Sequence, residues 1–305
     1  MRLRPNRSGF QVAVGLLSLS APTPGISGDS LYTSTVVTAP GSFPKGIEGP
    51  AVGPDGNIYA VNFERRGTIG CVVPGGQAEL FVDLPQGSTG NGIRFDAAGH
   101  LLVADYAGHN ILHVNRVTRE VSVFAHGASM NQPNDLAIAA DGTIYASDPN
   151  WQAETGQIWR TTPDGLSTRL EAGMGTTNGI EVGTGERRLY VNESRQRRVW
   201  VYDLSEGQVS NKRLFIRFDD YGLDGMRCDT VGNLYITRIG KGTVAIVSPE
   251  GQLLREVQLT GRNPSNIAFG GPDGRTAYVT LQDQGNIESF RVEYPGRSWK
   301  LWQRD

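Results

Sequence analysis

Two acidic residues and three asparagines recur along the chain at nearly constant spacing. They lie 43 to 46 residues apart and are Glu48, Asn91, Asn134, Asn178 and Asp224. Carboxylate and amide oxygens are the ligands that hard divalent cations prefer, and carboxylates also serve as bases and nucleophiles. Asn-Gly and Asp-Gly pairs are also ordinary turn chemistry, so each residue alone could be structural. Recurrence at equivalent positions is the stronger signal, and it points to a shared site.

The same spacing runs through a second set of positions, one in each repeat. These positions lie 43 to 45 residues apart, in a short apolar segment after an Asp-Gly-type turn: Tyr59, Leu102, Tyr145, Tyr190, Tyr235 and Tyr278. Around each of them four short strand-like segments are separated by glycine-containing turns. Four antiparallel strands per repeat, six times over, predict an all-β fold, a six-bladed β-propeller.

A further strand is predicted before the first repeat. Residues Leu31 to Val37 alternate and are rich in β-branched side chains. An open solenoid would also fit the repeat length, but a closed ring needs a strand from one terminus to complete the blade at the other. We therefore expect this N-terminal strand to close the ring by completing the outer part of the last blade.

The first 28 residues are expected to lie outside the propeller. Three arginines precede an apolar stretch, Phe10 to Leu19, and small residues follow. That order is typical of a signal peptide, although an unstructured leader would also fit. We interpret residues 1–28 as a leader or signal peptide and residues 29–305 as one propeller domain. Export would place the protein in the periplasm or outside the cell; otherwise it is cytoplasmic.

Composition excludes several classes of partner. The formal charge is −2 with mixed signs, which argues against a nucleic-acid surface. No apolar run approaches the ~20 residues that span a bilayer, so no membrane partner is expected. The two cysteines, Cys71 and Cys228, lie more than three repeats apart and are expected to be buried and unpaired. The expected partner is a small molecule, bound by a monomer or homodimer.

The propeller hypothesis gives the recurring polar residues a common place. The first strand of each blade lines the central channel, so equivalent positions meet around the axis. The sixth repeat contributes Ser265 or Asn266 to this ring. Glu48 and Asp224 would repel each other there, and a divalent cation would resolve the repulsion. Ca²⁺ fits an all-oxygen ring best, and the lack of His and Cys argues against Zn²⁺. Zn²⁺, Mg²⁺, Mn²⁺ and Fe²⁺ remain alternatives.

Several short motifs resemble a known family from about residue 48 to residue 280. They are Glu48-Gly-Pro, Asn134-Asp-Leu, Thr177-Asn178-Gly-Ile, Leu223-Asp224-Gly-Met226 and Phe269-Gly-Gly271. The chain is similar to the gluconolactonase/regucalcin (senescence marker protein) family of six-bladed propeller lactonases. The resemblance implies a catalytic divalent cation held by Glu48, Asn178 and Asp224, with Asn134 at a substrate-side position that ligates in some members.

The resemblance also implies a reaction, the opening of a lactone ring, with a sugar lactone such as gluconolactone expected. Asp224 is the predicted catalytic residue, as base or as nucleophile. Asn91, Asn134, Gln132 and Trp151 are predicted to bind substrate, although Trp151 could equally pack between blades. Gln132 stands where regucalcin-like members carry an arginine, which leaves the substrate open.

Two other functions compete with this one. The first is a phosphotriesterase-like hydrolase that uses the same metal site, because both reactions need a polarised electrophile and an oxygen nucleophile. The second is a non-catalytic propeller that binds proteins or peptides on its faces. Such a binding module has no need of two carboxylates at the channel mouth.

Overall fold

The computed structural model describes Met1, residues 30–73 and residues 75–301. The predicted leader, residues 1–28, therefore lies outside the described residues except for Met1. Within the described part the chain forms six four-stranded antiparallel sheets. The prediction of an all-β, six-bladed propeller is confirmed. None of the described helices has the length and apolar character needed to cross a bilayer.

Each blade follows chain order from the channel outwards. The strands of the first three blades are β2 Glu48–Val52, β3 Ile58–Val61, β4 Thr68–Val72 and β5 Ala78–Asp83; β6 Gly90–Phe95, β7 Leu101–Asp105, β8 Asn110–Val114 and β9 Val121–His126; and β10 Leu136–Ile138, β11 Ile144–Asn150, β12 Thr155–Thr161 and β13 Ser167–Met174. The next two blades contain β14 Thr177–Val182, β15 Arg188–Glu193, β16 Arg198–Ser205 and β17 Gln208–Arg217; and β18 Met226–Cys228, β19 Leu234–Arg238, β20 Thr243–Val247 and β21 Leu253–Gln258. The sixth blade contains β22 Pro264–Gly270, β23 Thr276–Leu281, β24 Asn286–Arg291 and the N-terminal β1 Thr35–Val36.

The ring is closed by the N-terminal strand, as predicted. β1 pairs antiparallel with β24, with Thr35 opposite Ser289, and becomes the outer strand of the sixth blade. The paired segment is shorter than the predicted Leu31–Val37. Tyr32 adopts a left-handed backbone conformation (φ 63°), which interrupts extended structure, and Leu31 makes only an isolated bridge to Arg291.

The apolar core lies between neighbouring blades. The two middle strands of a blade are buried almost throughout, whereas the outer strands are largely exposed on one side. Aromatic rings join adjacent blades: Tyr59 meets Phe95 edge-on with 5.5 Å between centroids, and Tyr235 meets Phe269 at 5.0 Å. Such pairs contribute about 0.5–1.5 kcal/mol beyond area burial. The blades are thereby fixed against one another, and so are the starts of their inner strands.

The C-terminal segment covers one end of the channel, which the sequence pattern did not predict. A short helix, α1 Arg297–Leu301, follows the last blade. Arg297 is buried, and the indole of Trp299 lies against Gly274, where a Cβ would come within 2.4 Å of the ring. Ser298 and Trp299 line a small cavity together with Arg94 and inner-strand residues. We call this end of the channel the closed mouth. Both cysteines are buried and unpaired, as expected.

Ring closure should depend on a buried hydrogen bond just after β1. The Thr38 hydroxyl accepts a hydrogen bond from the Ile287 N–H at 2.9 Å, and Thr38 is 1% exposed. Thr38→Val keeps the side-chain shape but leaves this buried N–H unsatisfied, so we expect a loss of about 1–3 kcal/mol in urea unfolding. Thr35→Val, on an exposed position of β1, is the matched control and should change the unfolding free energy by less than about 0.5 kcal/mol. Equal effects of the two substitutions would contradict this role for Thr38.

Candidate functional site

The recurring polar residues line one cavity at the channel end opposite the closed mouth. The cavity has a volume of 900 Å³ and opens where the inner strands begin, and we call this end the site mouth. All five predicted ring residues line it: Glu48, Asn91, Asn134, Asn178 and Asp224. Loops from every blade form its walls. The fold therefore brings together residues that are far apart in sequence.

Irregular pairing at the strand starts orients Glu48, Asn91 and Asn178. In four blades the ladder between the first two strands is interrupted at the position of the ring residue, for example between Glu48 and Ala51. Bulges of this kind bend a strand and redirect a side chain. Gly49 follows Glu48 with φ 55°, and a Cβ there would lie 2.0 Å from the Asn91 carbonyl oxygen. Glycine is needed at this position because the neighbouring blade fills the space.

Glu48 and Asp224 are the two carboxylates of the site, and both are buried, with 6% and 5% of their surface exposed. Burial raises the pKa of Glu48 from 4.5 to about 7, although a hydrogen bond from the Gly49 N–H at 2.7 Å opposes the rise. Burial also raises the pKa of Asp224 well above its ordinary value, and the charge of Glu48 raises it further. Without added positive charge the two groups resist ionising together.

Two amide oxygens of the ring are buried and have no hydrogen-bond partner among the described residues. They are Oδ1 of Asn91 and Oδ1 of Asn178. The Asn178 side chain also hydrogen-bonds Asp224, which lowers the pKa of that carboxyl but does not overcome burial. A buried acceptor without a donor is costly, and a cation or a substrate hydroxyl would relieve that cost.

The donor set fits a hard divalent cation. It consists of carboxylate and amide oxygens, which suit Ca²⁺ or Mg²⁺ better than a soft metal. In the part of the chain that the structure describes, no three His, Cys, Asp or Glu side chains gather as a metal cluster. The site is consistent with that result because it has two carboxylates and draws its other oxygens from asparagine.

Trp151 and Gln132, the two remaining residues predicted to bind substrate, lie in different places. Trp151 is partly exposed and lines the wall of the 900 Å³ cavity, so it does not serve only as packing between blades. Gln132 lies beside it in an adjoining depression, and the Trp151 N–H donates to its side-chain oxygen at 3.3 Å. Gln132 therefore contacts the loop that carries Trp151 and is not among the residues that line the main cavity.

A second layer of charge lies below the carboxylate pair, and our sequence analysis missed it. Arg94 and Arg227 each donate to Asp135, at 3.1 and 3.0 Å, and Glu181 accepts from Arg297 at 3.4 Å. All five residues are at most 6% exposed. Burial alone would raise the pKa of Asp135, but the two arginines outweigh it and hold that pKa below its usual value. This network connects the floor of the site to the closed mouth.

A signal for this layer was present in the sequence. Three residues after each ring position, the inner strands carry Ala51, Arg94, Ala137, Glu181, Arg227 and Ala268. Charged residues at positions that should face a narrow channel need partners, and the alanines leave room for long side chains. Asp135 takes the place that glycine occupies in four of the other blades. Applying the repeat register beyond its first position would have identified these residues.

Known proteins similar to this chain include lactonases. Residues 47–283 match the family described as SMP-30/Gluconolactonase/LRE-like region. A gluconolactonase of Zymomonas mobilis is 30% identical over 216 residues, which cover 62% of this chain and 60% of that protein. A pentonolactonase of Haloferax volcanii is 30% identical over 151 residues, covering 48% of this chain and 52% of that protein. The chain thus spans just over half the length of these curated relatives.

The fold has close counterparts among solved structures. A calcium-binding protein, regucalcin, from Agrobacterium tumefaciens superposes with a TM-score of 0.75 at 21% identity, covering 86% of this chain and 94% of that one. A gluconolactonase from Xanthomonas campestris gives a TM-score of 0.74 at 20% identity, covering 85% of this chain and 89% of that one. Likeness at this level of identity shows a shared fold.

The raised pKa of Glu48 predicts how stability depends on pH when divalent cations are removed. Between the unfolded pKa of 4.5 and the folded pKa of about 7, the folded state holds a proton that the unfolded chain has lost. The stabilisation is therefore complete below pH 4.5 and is lost as pH rises through 7. With chelator present, the unfolding free energy of wild type relative to Glu48→Gln should fall by about 3 kcal/mol over this interval.

The matched control for this measurement is Glu79→Gln, which removes an exposed carboxylate. Its stability should follow the wild-type curve at every pH. Added Ca²⁺ should stabilise wild type more at pH 8 than at pH 5, because protons and the cation compete for the same carboxylates. If the unfolding free energy of Glu48→Gln changed with pH in parallel with that of wild type, the raised pKa of Glu48 would be contradicted.

Proposed function

Because the chain belongs to the SMP-30/gluconolactonase/LRE-like family, we propose that it is a hydrolase that opens the ring of a sugar lactone. The gluconolactonase and pentonolactonase relatives support this substrate class. The observation that carries the proposal is the arrangement of the site mouth. Two buried carboxylates and two amide oxygens without donors face a cavity large enough for a monosaccharide lactone.

The proposed reaction is hydrolysis of the ring ester. Water adds to the carbonyl carbon, the bond from that carbon to the ring oxygen breaks, and a hydroxy acid is released as carboxylate, hydroxyl and proton. Asp224 takes the proton of the attacking water, a role that suits a carboxylate whose pKa is raised by burial and by the charge of Glu48. The Asn178 side chain holds Asp224 in position through its hydrogen bond.

We assign a divalent cation, Ca²⁺ in the first instance, to Glu48, Asn178 and Asp224, with Asn134 beside them. When bound, the cation supplies positive charge that stabilises the oxyanion developing on the carbonyl oxygen. The chain's own contribution is two carboxylates that balance this charge, and the positive charge of the cation would in turn favour their ionised forms at neutral pH. The calcium-binding regucalcin with the same fold supports the choice of metal.

Substrate positioning is assigned to the walls of the cavity. Asn91 and Asn134 present amide groups to sugar hydroxyls, and the free Oδ1 of Asn91 can accept from one of them. The indole of Trp151 covers one face of the sugar ring. Gln132 acts through this loop, because it accepts a hydrogen bond from the Trp151 backbone N–H.

A substrate panel with chelation is the direct test of this function. Glucono-δ-lactone, pentonolactones, a phosphotriester and a simple aryl ester are compared before and after removal of divalent cations. We expect lactone turnover that chelation lowers by at least about a hundredfold and that added Ca²⁺ restores. Faster turnover of the phosphotriester than of the lactones would favour the phosphotriesterase-like function. Metal binding without any turnover would favour a binding module.

Asp224→Asn separates metal ligation from proton transfer. The substitution keeps an oxygen ligand of the same size but removes basicity, so lactone hydrolysis should fall by the ~10²–10⁴-fold typical of losing a positioned base. Calcium should still bind, as measured by calorimetry. The control is Asp219→Asn, an exposed carboxylate on the preceding loop, which should hydrolyse lactone like wild type. Recovery of most activity by saturating calcium would show that Asp224 is only a ligand.

A single turnover in H₂¹⁸O distinguishes the two catalytic roles of Asp224. If Asp224 acts as a base, the first product molecule contains one ¹⁸O atom from water. If it attacks the carbonyl directly, the ring oxygen leaves as the product hydroxyl and an anhydride joins Asp224 to the substrate. Water then adds at the Asp224 carboxyl carbon, so the first product keeps an unlabelled oxygen from the carboxylate and the label enters Asp224. Mass spectrometry of the product and of the peptide that contains Asp224 reads both outcomes.

A further inference from the structure

The wall of the site cavity carries far more positive charge than a neutral lactone requires. Five basic residues line it, whereas Glu48 and Asp224 at the floor are the only acidic residues among the described residues of the lining. The basic residues are Lys45, Arg65, Arg66, Arg195 and Arg197. The whole chain has a net charge of −2, so this concentration does not reflect overall composition.

Two of the five cations are already paired outside the cavity. Arg65 is bound to Asp83 and lies 3.6 Å from Glu64, and Arg195 is bound to Glu154. These three acidic partners do not line the cavity. The two arginines are thus held by surface ion pairs, and their charge is largely compensated.

The other three cations, Lys45, Arg66 and Arg197, form what we call the cationic rim. Within the described residues none of them has a carboxylate oxygen within 4.0 Å. They are not counter-ions of Glu48 and Asp224, because among the described residues neither carboxylate has a Lys or Arg nitrogen within 4.0 Å. Unpaired cations around a concave opening focus a positive potential into it and favour an anionic ligand.

Arg197 is the rim residue whose geometry most clearly calls for a ligand. Its side chain is partly buried, and its Nε is buried with no hydrogen-bond partner in the described structure. Its backbone is left-handed (φ 58°) and is fixed by hydrogen bonds from its N–H to the Glu193 carbonyl and to its carbonyl from the Phe218 N–H. A guanidinium presents several donors in a planar fork that matches carboxylate, phosphate and sulfonate groups.

The rim and the floor are placed to engage two parts of one molecule. Arg197 lies in the loop after β15, in the same blade as Asn178, whereas Lys45 and Arg66 belong to the loops around the blade of Glu48. From Lys45, Arg66 and Arg197 we infer that the natural substrate is a sugar lactone that carries its own anionic group, a carboxylate, phosphate or sulfonate remote from the ring ester. This inference rests on the proposed lactonase function and specifies its substrate class.

The test compares anionic and neutral lactones on wild type and on rim variants. 6-Phosphogluconolactone and glucaro-1,4-lactone carry the charge as phosphate and as carboxylate, and glucono-δ-lactone is the neutral reference. We expect kcat/KM to be at least about tenfold higher for one of the anionic lactones. Arg197→Gln should reduce the ratio of anionic to neutral kcat/KM by about 10- to 100-fold, mainly through KM, as expected for loss of a charged hydrogen bond.

Matched controls are available in the same cavity wall. Arg65→Gln and Arg195→Gln remove equal charge from paired positions and should change the ratio by less than about threefold. Arg197→Lys keeps the charge without the fork and should recover part of the loss. The KM for the anionic lactone should rise with ionic strength. A wild type that prefers the neutral lactone, or equal losses for Arg197→Gln and the controls, would overturn the inference.

A binding measurement separates this inference from the proposed function. Calorimetry with 6-phosphogluconate and with gluconate needs no turnover. Stronger binding of the phosphorylated acid, lost in Arg197→Gln, would support the anion site even if every lactone stayed intact and the lactonase proposal failed. Equal binding of the two acids by wild type would overturn the anion site even if glucono-δ-lactone were hydrolysed.

Discussion

The constraint on which the site depends is the burial of two carboxylates at one end of a narrow channel. Glu48 and Asp224 are both almost inaccessible to water, and burial raises the pKa of each. Two like charges cannot be held in such a place without compensation. The compensation must come either from protons, which would silence a base, or from a cation that joins the amide oxygens around them. With the proposed cation bound, the ring of asparagines would supply neutral oxygen ligands, and both buried carboxylates could then be ionised at neutral pH.

The layer below shows why the protein's own arginines do not supply that compensation. Arg94 and Arg227 point into the same channel, but both are bound to Asp135, and Glu181 lies near each of them at 4.0 and 3.9 Å. Burial lowers the pKa of Arg94 to about 10, which still leaves it charged at neutral pH. Breaking such a buried network by removing one partner typically costs 3–5 kcal/mol. The two arginines thus pair within the middle of the channel, and among the described residues neither forms an ion pair with Glu48 or Asp224.

Much of this arrangement could be predicted from the sequence because the repeat is regular. Register alone placed Glu48, Asn91, Asn134, Asn178 and Asp224 around one axis, and the structure gathers all five in one cavity. The closing strand followed from topology, although the left-handed Tyr32 shortened it. Contacts that depend on how far a side chain extends could not be predicted from the repeat register. The seal by Arg297 and Trp299 involves a segment beyond the last repeat, where the periodic pattern offers no guide.

The residues at the floor of the cavity lie at strand starts, whereas those of the cationic rim lie on loops. This difference explains why the sequence predicted the floor residues but not the rim. The floor residues stand at strand starts, where ladders and bulges fix their direction, so one register describes all of them. The cationic rim stands on loops whose lengths and turns differ from blade to blade. Arg66 and Arg197 both stand seven residues after a repeat tyrosine, but the other blades carry no Lys or Arg there, and Lys45 precedes an inner strand. A propeller can therefore keep one set of floor residues while its loops change the charge of the cavity wall. Within the described residues, Arg197 has a buried Nε without a hydrogen-bond partner, and the inferred anionic group of the substrate rests chiefly on this residue of the wall.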